Sequence, residues 1–366
     1  MKSWKYRVMP RPARTRLPAL LLAALLSACM ASGTRELPLT LESMGVFHVG
    51  GTRVDSPYAD ERDSRFPTSG RSTVAGQARI TYLIPQHRTG APIVLIPGFG
   101  LSSSIYLSTP DGREGWAQYF ARRGFPVYVM DIPDRSTSGF AVDAINGCIL
   151  GDPAFPCTDG VMLGKTSLEQ PWSVWGFGPS FGERYPDSRF PALPLQQNYI
   201  EQFAASFEVF TGSGNMGRAQ PGGAAVGLAL EALLERIGPS VLVLHSAAGA
   251  TGFGVARLNP ALALAMVSIE TTACPDLQSE ASGAMRDIPF LGIYGDYVAE
   301  RTSGGHPGRH AACKAFAESA ARRAPGTFID LPADLDIRGN SHLMMQDDNS
   351  DALAEMIADW IAGIDR

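Results

Sequence analysis

The stretch VLVLHSAAGATGF, residues 241–253, decides the fold class. Its apolar run from Val241 to Leu244 is typical of a buried strand, and the small residues from Ala247 onward can begin a helix that packs closely against that strand. We therefore expect a sharp strand-to-helix turn at Ser246, which raises the serine hydroxyl to the top of a sheet and directs the first N–H groups of the helix toward the same point. This geometry makes Ser246 a candidate nucleophile.

The stretch departs from the G-x-S-x-G pattern that usually marks such a turn. Leu244 and Ala248 occupy the two glycine positions, and Gly249 falls one residue late. Two interpretations therefore stay open at this point: Ser246 is a nucleophile, or it is a serine that caps the N-terminus of a helix.

Strand-like and helix-like segments alternate on both sides of this turn. The strand candidates are residues 92–97, 125–131, 240–245, 262–270, 288–295 and 326–332, and the helix candidates are residues 112–124, 223–238, 247–258, 310–323 and 351–364. Such alternation predicts a parallel sheet with helices on both faces. Two earlier strand candidates, residues 44–54 and 77–85, predict an antiparallel edge and bring the sheet to about eight strands.

Residues 135–221 interrupt the alternation, because they contain few strand-like runs but many Gly, Pro and aromatic residues. We interpret this segment as a cap inserted after the fourth sheet strand, which supplies an apolar roof to a substrate pocket. Trp172 and Trp175 are its candidate pocket residues. The alternative is a long structural loop that is packed by its own aromatic side chains.

Polar or glycine-rich positions follow several of the predicted strands. In open parallel sheets the ligand binds beyond the carboxyl ends of the strands, so these positions are the candidate site. They are the loop Pro97–Gly100, Ser246, Glu270, and His342 within RGNSHLMMQDDN (338–349). The backbone N–H groups of Phe99, Gly100 and Ala247 could stabilise a developing negative charge, whereas Pro97 has no N–H to donate.

The order serine, acid, histidine is that of the α/β hydrolases. From about Gly45 to its C-terminus, the chain resembles the atypical secreted bacterial esterases of that superfamily. The segments that carry the resemblance are FHVGG (47–51), STPDGREGWAQYFARRGFPVYVMD (108–131), HS (245–246), SIE (268–270) and RGNSHLMMQDDN. The oxyanion loop departs from the family, in which it usually opens with His-Gly and can continue with Cys-Cys.

The resemblance implies an α/β-hydrolase fold and a serine carboxylesterase that acts on small ester substrates. It implies that Ser246 is the nucleophile, His342 the general base and Glu270 the orienting acid, with the acid after an earlier strand than in most relatives. Asp296 lies close to the more usual position of the acid, but it comes only one residue after Gly295, where it can cap a turn. Alternatives are a serine hydrolase of lactones, polyesters or amides, or a catalytically idle hydrolase-like lipoprotein that binds a ligand or an envelope partner.

The first residues are typical of a secretion signal, because basic residues precede the apolar run LPALLLAALLSA (17–28). The sequence Leu-Ser-Ala-Cys ending at Cys29 resembles a bacterial lipobox. We therefore predict a signal peptide over residues 1–28, a tether over 29–40, and a catalytic domain over 41–366 that is anchored outside the cytoplasm by a lipid on Cys29. A secreted soluble protein is the alternative.

The remaining cysteines are even in number, and a pair of disulfides suits an oxidising compartment. Of the three possible pairings we predict Cys148–Cys157, which flanks a short Gly/Pro/Asp-rich loop, and Cys274–Cys313, which would join two late connections.

The net charge of −5 and the absence of a basic stripe exclude nucleic acid as an expected partner, and no CxxC or His spacing predicts a metal or other cofactor. His306 and His310 are expected to be solvated loop histidines, because Pro307 and Gly308 would disrupt a helix there. His245 is expected to be structural, and Asp347, Asp348 and Asp351 are expected to start the C-terminal helix.

Overall fold

The computed structural model describes residues 38–55, 72–155, 163–191, 199–211, 224–276 and 283–364. Within these residues, eight strands form one sheet in the order β1-β2-β4-β3-β7-β8-β9-β10. The strands are β1 (Leu41–Asp55), β2 (Ser72–Pro85), β3 (Ile93–Ile96), β4 (Val127–Met130), β7 (Ser240–His245), β8 (Ala263–Ile269), β9 (Phe290–Tyr294) and β10 (Gly326–Asp330). Two further short strands, β5 (Leu163–Gly164) and β6 (Phe210–Thr211), pair with each other.

The eight-stranded, mostly parallel sheet and its antiparallel edge are confirmed. β1 pairs antiparallel with β2, and β2 pairs antiparallel with β4, while every pairing from β4 to β10 is parallel. The central strands β3 and β7 are buried along their whole length. That burial explains why their sequences are continuous apolar runs and do not alternate with polar residues.

Helices cover both faces of the sheet. They are α1 (Ser104–Leu107), α2 (Trp116–Arg122), α3 (Val142–Leu150), α4 (Gln170–Val174), α5 (Tyr199–Ala205), α6 (Ala224–Ile237), α7 (Ala248–Leu258), α8 (His306–Ala320), α9 (Leu331–Leu335) and α10 (Ser350–Ile364). Successive residues of β7 face opposite sides, so Val241 and Val243 pack in one core with α2 and α10. Leu242 and Leu244 pack in the other core with α6, α7 and α8.

Helix α8 begins four residues earlier than the sequence predicted. It starts at His306 and includes Pro307 in its first turn. Proline is tolerated there because the first N–H groups of a helix have no partner within the helix. The expectation that Pro307 and Gly308 disrupt the helix is therefore wrong, and so is the expectation that the two histidines lie in a solvated loop.

The segment between β4 and α6 contains three short helices and the β5–β6 ribbon among its described residues. Its aromatic side chains pack closely with one another. Phe177 stacks on Phe190 with 3.9 Å between ring centroids, and Trp175 contacts Phe203 and Phe207 edge to face. These rings belong to the same hydrophobic core as Val241 and Val243, so the segment packs against that face of the sheet.

The disulfide between Cys274 and Cys313 is confirmed. Cys157 of the predicted Cys148–Cys157 pair lies outside the described residues. The predicted signal peptide and residues 29–37 of the tether also lie outside them. Within the part of the chain that the structure describes, no helix is long and apolar enough to span a membrane.

Candidate active site

Ser246 occupies the turn between β7 and α7. Its φ of 52° lies in the left-handed region, which is unusual and strained for a residue other than glycine. The turn is held by the neighbouring strand end, because the N–H of Ser246 donates to Ile269 O at 3.0 Å and the carbonyl of Ser246 accepts from the N–H of Thr272 at 3.0 Å. The side chain remains half-exposed, so this strained turn presents a hydroxyl to a cavity.

Two glycines outside the expected pattern make the turn possible. A Cβ placed on Gly252, one turn into α7, would lie 2.3 Å from the Leu244 side chain. A Cβ placed on Gly98 would lie 2.7 Å from the Cβ of Ser246. Leu244 can therefore occupy a position that is usually glycine, because Gly252, which faces it on α7, has no side chain and leaves room for the leucine.

Ser246 and His342 line the same cavity of about 220 Å³. Its lining residues are Phe99, Leu101, Thr166, Val174, Trp175, His245, Ser246, Arg309 and His342. Of the two predicted pocket residues, Trp175 is in this lining, while Trp172 is not among the described lining residues. Trp172 packs against Phe181 and donates its indole N–H to Glu183 O, which gives it a structural role within the segment between β4 and α6.

Glu270 and His342 are in direct contact. Nδ1 of His342 lies 2.6 Å from Oε2 of Glu270. Glu270 follows the last residue of β8 with a φ of 44°, and His342 lies in the loop after β10 and α9. A carboxylate at Nδ1 fixes the tautomer of the ring, so that Nε2 is the nitrogen free to accept a proton.

The carboxylate of Glu270 is wholly buried and held by three further donors. Arg301 donates from Nη1 to Oε2 at 2.6 Å and from Nη2 to Oε1 at 2.9 Å, and the N–H of Gly295 donates to Oε1 at 2.8 Å. Burial alone raises the pKa of Glu270, but the charge of Arg301 and the contacts of two histidines outweigh burial and hold that pKa well below its usual value. Glu270 is therefore ionised at neutral pH.

His342 is also buried, and its environment keeps it neutral. Burial lowers the pKa of His342 well below its usual value, against the raising effect of the hydrogen bond to Glu270. Its backbone N–H donates to Trp175 O at 2.8 Å. Its carbonyl lies 3.0 Å from Nε2 of His245, whose pKa burial lowers to about 4. A neutral His245 can donate to that carbonyl, which agrees with the expected structural role.

His306 is the first residue of α8 and is buried beside the pair. Its Nδ1 lies 3.5 Å from Oε2 of Glu270, and its ring centroid lies 5.1 Å from that of His342. These three side chains are close enough to ligate a metal ion. However, the Arg301 guanidinium already occupies both carboxylate oxygens, and its positive charge would repel a cation, so this donor set does not suit a metal.

Asp347 stabilises the loop that carries His342. Asp347 is fully buried and accepts from the N–H and the Oγ of Ser341 at 2.8 Å each, and from Nδ2 of Asn340 at 2.9 Å. Burial raises the pKa of Asp347 to about 7. The helix α10 begins at Ser350, so the expectation that Asp347 and Asp348 start it is wrong, whereas Asp351 does lie in its first turn.

Asp296 has a different environment from Glu270. Its Oδ1 accepts from the N–H of Tyr297 at 2.7 Å, and its Oδ2 accepts from the N–H of Gly339 at 2.9 Å. Both contacts are to backbone, so Asp296 shapes the turn and the start of the histidine loop, as the sequence position suggested.

The predicted oxyanion donors lie close to one another: Phe99, Gly100 and Ala247 line one pocket, and Phe99 also lines the cavity of Ser246. Within the described residues, no hydrogen bond uses the N–H of Phe99, Gly100 or Ala247. The loop is fixed from outside, because Gly100 O accepts from the N–H of Glu208 at 2.8 Å and the Phe99 ring packs on Phe210 with 4.8 Å between centroids. Rigid, unused N–H groups are what stabilisation of an oxyanion requires.

Sequence reasoning missed Arg301 and misjudged His306. Arg301 lies in an irregular loop 31 residues after Glu270, where no spacing or motif marks it. The signal for His306 was available, since the sequence Gly-His-Pro is compatible with a helix that starts at the histidine and has proline in its first turn.

The parallel sheet, the serine turn and the buried acid–histidine pair define an α/β hydrolase. A bacterial esterase whose structure was determined at atomic resolution is 31% identical to this chain, with a TM-score of 0.78, and the match covers 91% of this chain and 99% of that one. The probable secreted lipase phiG of a fungal species (strain ATCC 74256) is 26% identical over 328 residues, which are 76% of this chain and 84% of the lipase. None of the known protein-family models matches.

This chain therefore belongs to the family of that bacterial esterase, within the α/β hydrolases.

Proposed function

We propose that this protein is a serine carboxylesterase in which Ser246 is the nucleophile, His342 the general base and Glu270 the orienting acid. The observation that carries the proposal is the hydrogen bond of 2.6 Å between His342 and the buried Glu270, made beside the cavity that Ser246 and His342 share. The similarity to a bacterial esterase and to a probable secreted lipase supports the same class of reaction.

In the first half-reaction, Ser246 Oγ attacks the ester carbonyl while Nε2 of His342 accepts its proton. The carbonyl oxygen becomes an oxyanion, which the N–H groups of Ala247 and of Phe99 or Gly100 stabilise. His342 is then an imidazolium, which the ionised Glu270 stabilises through Nδ1. His342 returns the proton to the leaving alcohol, and the acyl group remains on Ser246 as an ester.

In the second half-reaction, water replaces the alcohol. His342 removes a proton from the water, the resulting hydroxide attacks the acyl-enzyme, and the second oxyanion uses the same N–H groups. Collapse of this intermediate releases the carboxylic acid and returns the proton to Ser246. Side chains and backbone N–H groups of this chain act in each of these steps.

The segment of residues 135–221 acts as the cap of this site in our proposal, with Trp175 as part of the apolar roof. Side chains of the cap also determine whether lactones, polyesters or amides can compete with simple esters, because the catalytic residues treat these carbonyl groups alike.

The test of the proposed function is covalent labelling with a fluorophosphonate probe together with hydrolysis of p-nitrophenyl acetate. We expect the wild-type protein to be labelled and active, and Ser246→Ala to be neither, with an unchanged circular-dichroism spectrum. Ser240→Ala is a matched control, because Ser240 lies at the opposite end of β7. A folded wild-type protein that neither reacts with the probe nor hydrolyses the ester would contradict the proposal and favour a ligand-binding hydrolase relative.

For location, we propose that the protein works outside the cytoplasm and is anchored by a lipid on Cys29. The basic and apolar N-terminal sequence and the lipobox-like Leu-Ser-Ala-Cys support this anchor. The similarity to a probable secreted lipase supports export.

A further inference from the structure

Arg309 brings a positive charge into the cavity of Ser246 and His342. It lines that cavity and lies three residues after His306 on α8, so the two side chains share one face of the helix. The His306 ring is adjacent to that of His342. The Arg309 guanidinium is therefore directed to the histidine side of the site.

The charge of Arg309 is not neutralised by an ion pair within the described residues. Among the described residues, no side chain forms a hydrogen bond or an ion pair with its guanidinium, and none of the described lining residues is acidic. The nearby acid is Glu270, and both of its oxygens are already bonded to Arg301. The cavity thus combines a cation with apolar walls from Phe99, Val174 and Trp175.

Arg309 is half-buried, so its guanidinium is only partly solvated, and an anionic group in the cavity would bind to it more favourably than a neutral group. Burial lowers the pKa of Arg309, yet a guanidinium stays protonated at neutral pH because its ordinary pKa is so high. Its planar donor groups match the two oxygens of a carboxylate. The structural features therefore favour an anionic group in the bound substrate.

We propose that Arg309 is a specificity-determining residue that binds a carboxylate of the substrate, so that the preferred substrates are esters carrying a free carboxylate. This inference rests on the proposed esterase function and names its substrate class. Arg309 does not touch the reacting atoms in this proposal. It selects the substrate and leaves the chemistry to Ser246 and His342.

The test compares esters of one shape that differ only in charge. In the first pair the acyl part carries either a carboxylate (monoethyl glutarate) or a neutral amide (ethyl 4-carbamoylbutanoate). In the second pair the alcohol part carries either a carboxylate (3-acetoxypropanoate) or a neutral amide (3-acetoxypropanamide). Hydrolysis by the full-length protein is followed by chromatography of the products. We expect kcat/KM to favour the carboxylate about tenfold in at least one pair, and the pair that shows it identifies the side of the ester that meets Arg309.

Variants assign the preference to Arg309. Arg309→Met should lower the ratio of kcat/KM for the carboxylate over the amide to about one, and Arg309→Lys should retain part of the preference because the charge remains. Arg257→Met is the matched control, since Arg257 is an exposed arginine on α7. In the wild type, added salt should weaken the preference because it screens the ion pair.

Equal rates for carboxylate and amide in both pairs, or an unchanged preference in Arg309→Met, would overturn the inference. These outcomes are distinct from failure of the proposed function, in which the wild type hydrolyses neither the neutral esters nor p-nitrophenyl acetate. If Arg309→Met does not fold, the wild-type preference, its salt dependence and the Arg309→Lys variant still decide the question.

Discussion

The guanidinium of Arg301 binds the carboxylate of Glu270 through two hydrogen bonds of 2.6 and 2.9 Å, and solvent reaches neither side chain. A two-pronged contact of this kind fixes a carboxylate in rotation as well as in position. Glu270 therefore presents one defined oxygen to His342, and the arginine acts as a positioning residue for the proposed catalytic acid.

The first prediction concerns the identity of that acid. Glu270→Gln should lower kcat on the order of 10²- to 10⁴-fold with little change in KM. The reason is that the carboxylate stabilises the imidazolium of His342, which forms in the transition state and not when the substrate binds. Asp296→Asn is the matched comparison and should cost far less, since Asp296 contacts backbone N–H groups. Steady-state kinetics with p-nitrophenyl esters measures both. A larger loss in Asp296→Asn, in folded protein, would mean that Asp296 is the acid.

A second prediction follows from the neutral state of His342. Burial lowers the pKa of His342, so the base stays unprotonated, and kcat/KM stays constant, to a pH below the ordinary histidine value of about 6.5. Glu270, His245, His306 and Arg301 are the titratable and charged groups that surround it. In Arg301→Met the cation is gone, protonation of His342 becomes easier, and the acid limb of the pH profile should move to higher pH.

The same variant should lose stability, because a buried charge without its partner costs roughly 3–5 kcal/mol. Arg301→Lys keeps the charge and should leave the acid limb near its wild-type position while still lowering kcat, since one ammonium cannot bond both oxygens in the same way. An acid limb that does not move in folded Arg301→Met would show that Arg301 supports the fold without influencing the base.

The third prediction separates the two tryptophans of the cap. Trp175 lines the cavity, so Trp175→Ala should enlarge it and shift the chain-length preference for p-nitrophenyl esters toward longer acyl groups. Trp172→Ala should lower thermal stability with the preference unchanged, because Trp172 packs within the cap. An unchanged preference in both variants would remove Trp175 from the substrate pocket.

The fourth prediction concerns the disulfide. Cys274 follows Glu270 closely in sequence, and Cys313 lies on α8, the helix that carries His306 and Arg309. Replacing both cysteines by serine removes a covalent link between residues 39 positions apart in the sequence. This replacement should lower the free energy of unfolding by about 3–4 kcal/mol. Urea unfolding in the absence of reductant measures the loss, and reductant should destabilise the wild type by more than it destabilises the variant.

The fifth prediction concerns the anchor. Cys29→Ser should remove the lipid, so that the protein is released from the membrane or is retained uncleaved. Membrane fractionation and mass spectrometry of the N-terminus distinguish these outcomes from the wild type. Identical fractionation of both proteins, with no lipid on residue 29, would favour a secreted soluble protein.

The sequence by itself determined the fold to a large extent. Buried strands such as β3 and β7 need apolar residues on both faces, and the helices between them need an apolar stripe. Each element can therefore be predicted from the pattern of its own residues. For the same reason the strand ends that carry Ser246 and Glu270, and the loop after the last strand that carries His342, could be located before any contact was known. Their catalytic roles remain predictions.

Only the tertiary structure decided how these residues are supported. Arg301 meets Glu270 because an irregular loop turns back onto the strand end, and Asp347 supports His342 through hydrogen bonds within one buried loop. Leu244 fits the serine turn because Gly252 faces it from the next helix. The periodicity of a sequence reports which residues share a face, but it carries no information on which side chains meet when distant segments fold together. That pairing depends on packing between elements, which is why the support of the site and the cation in its cavity emerged only from the folded molecule.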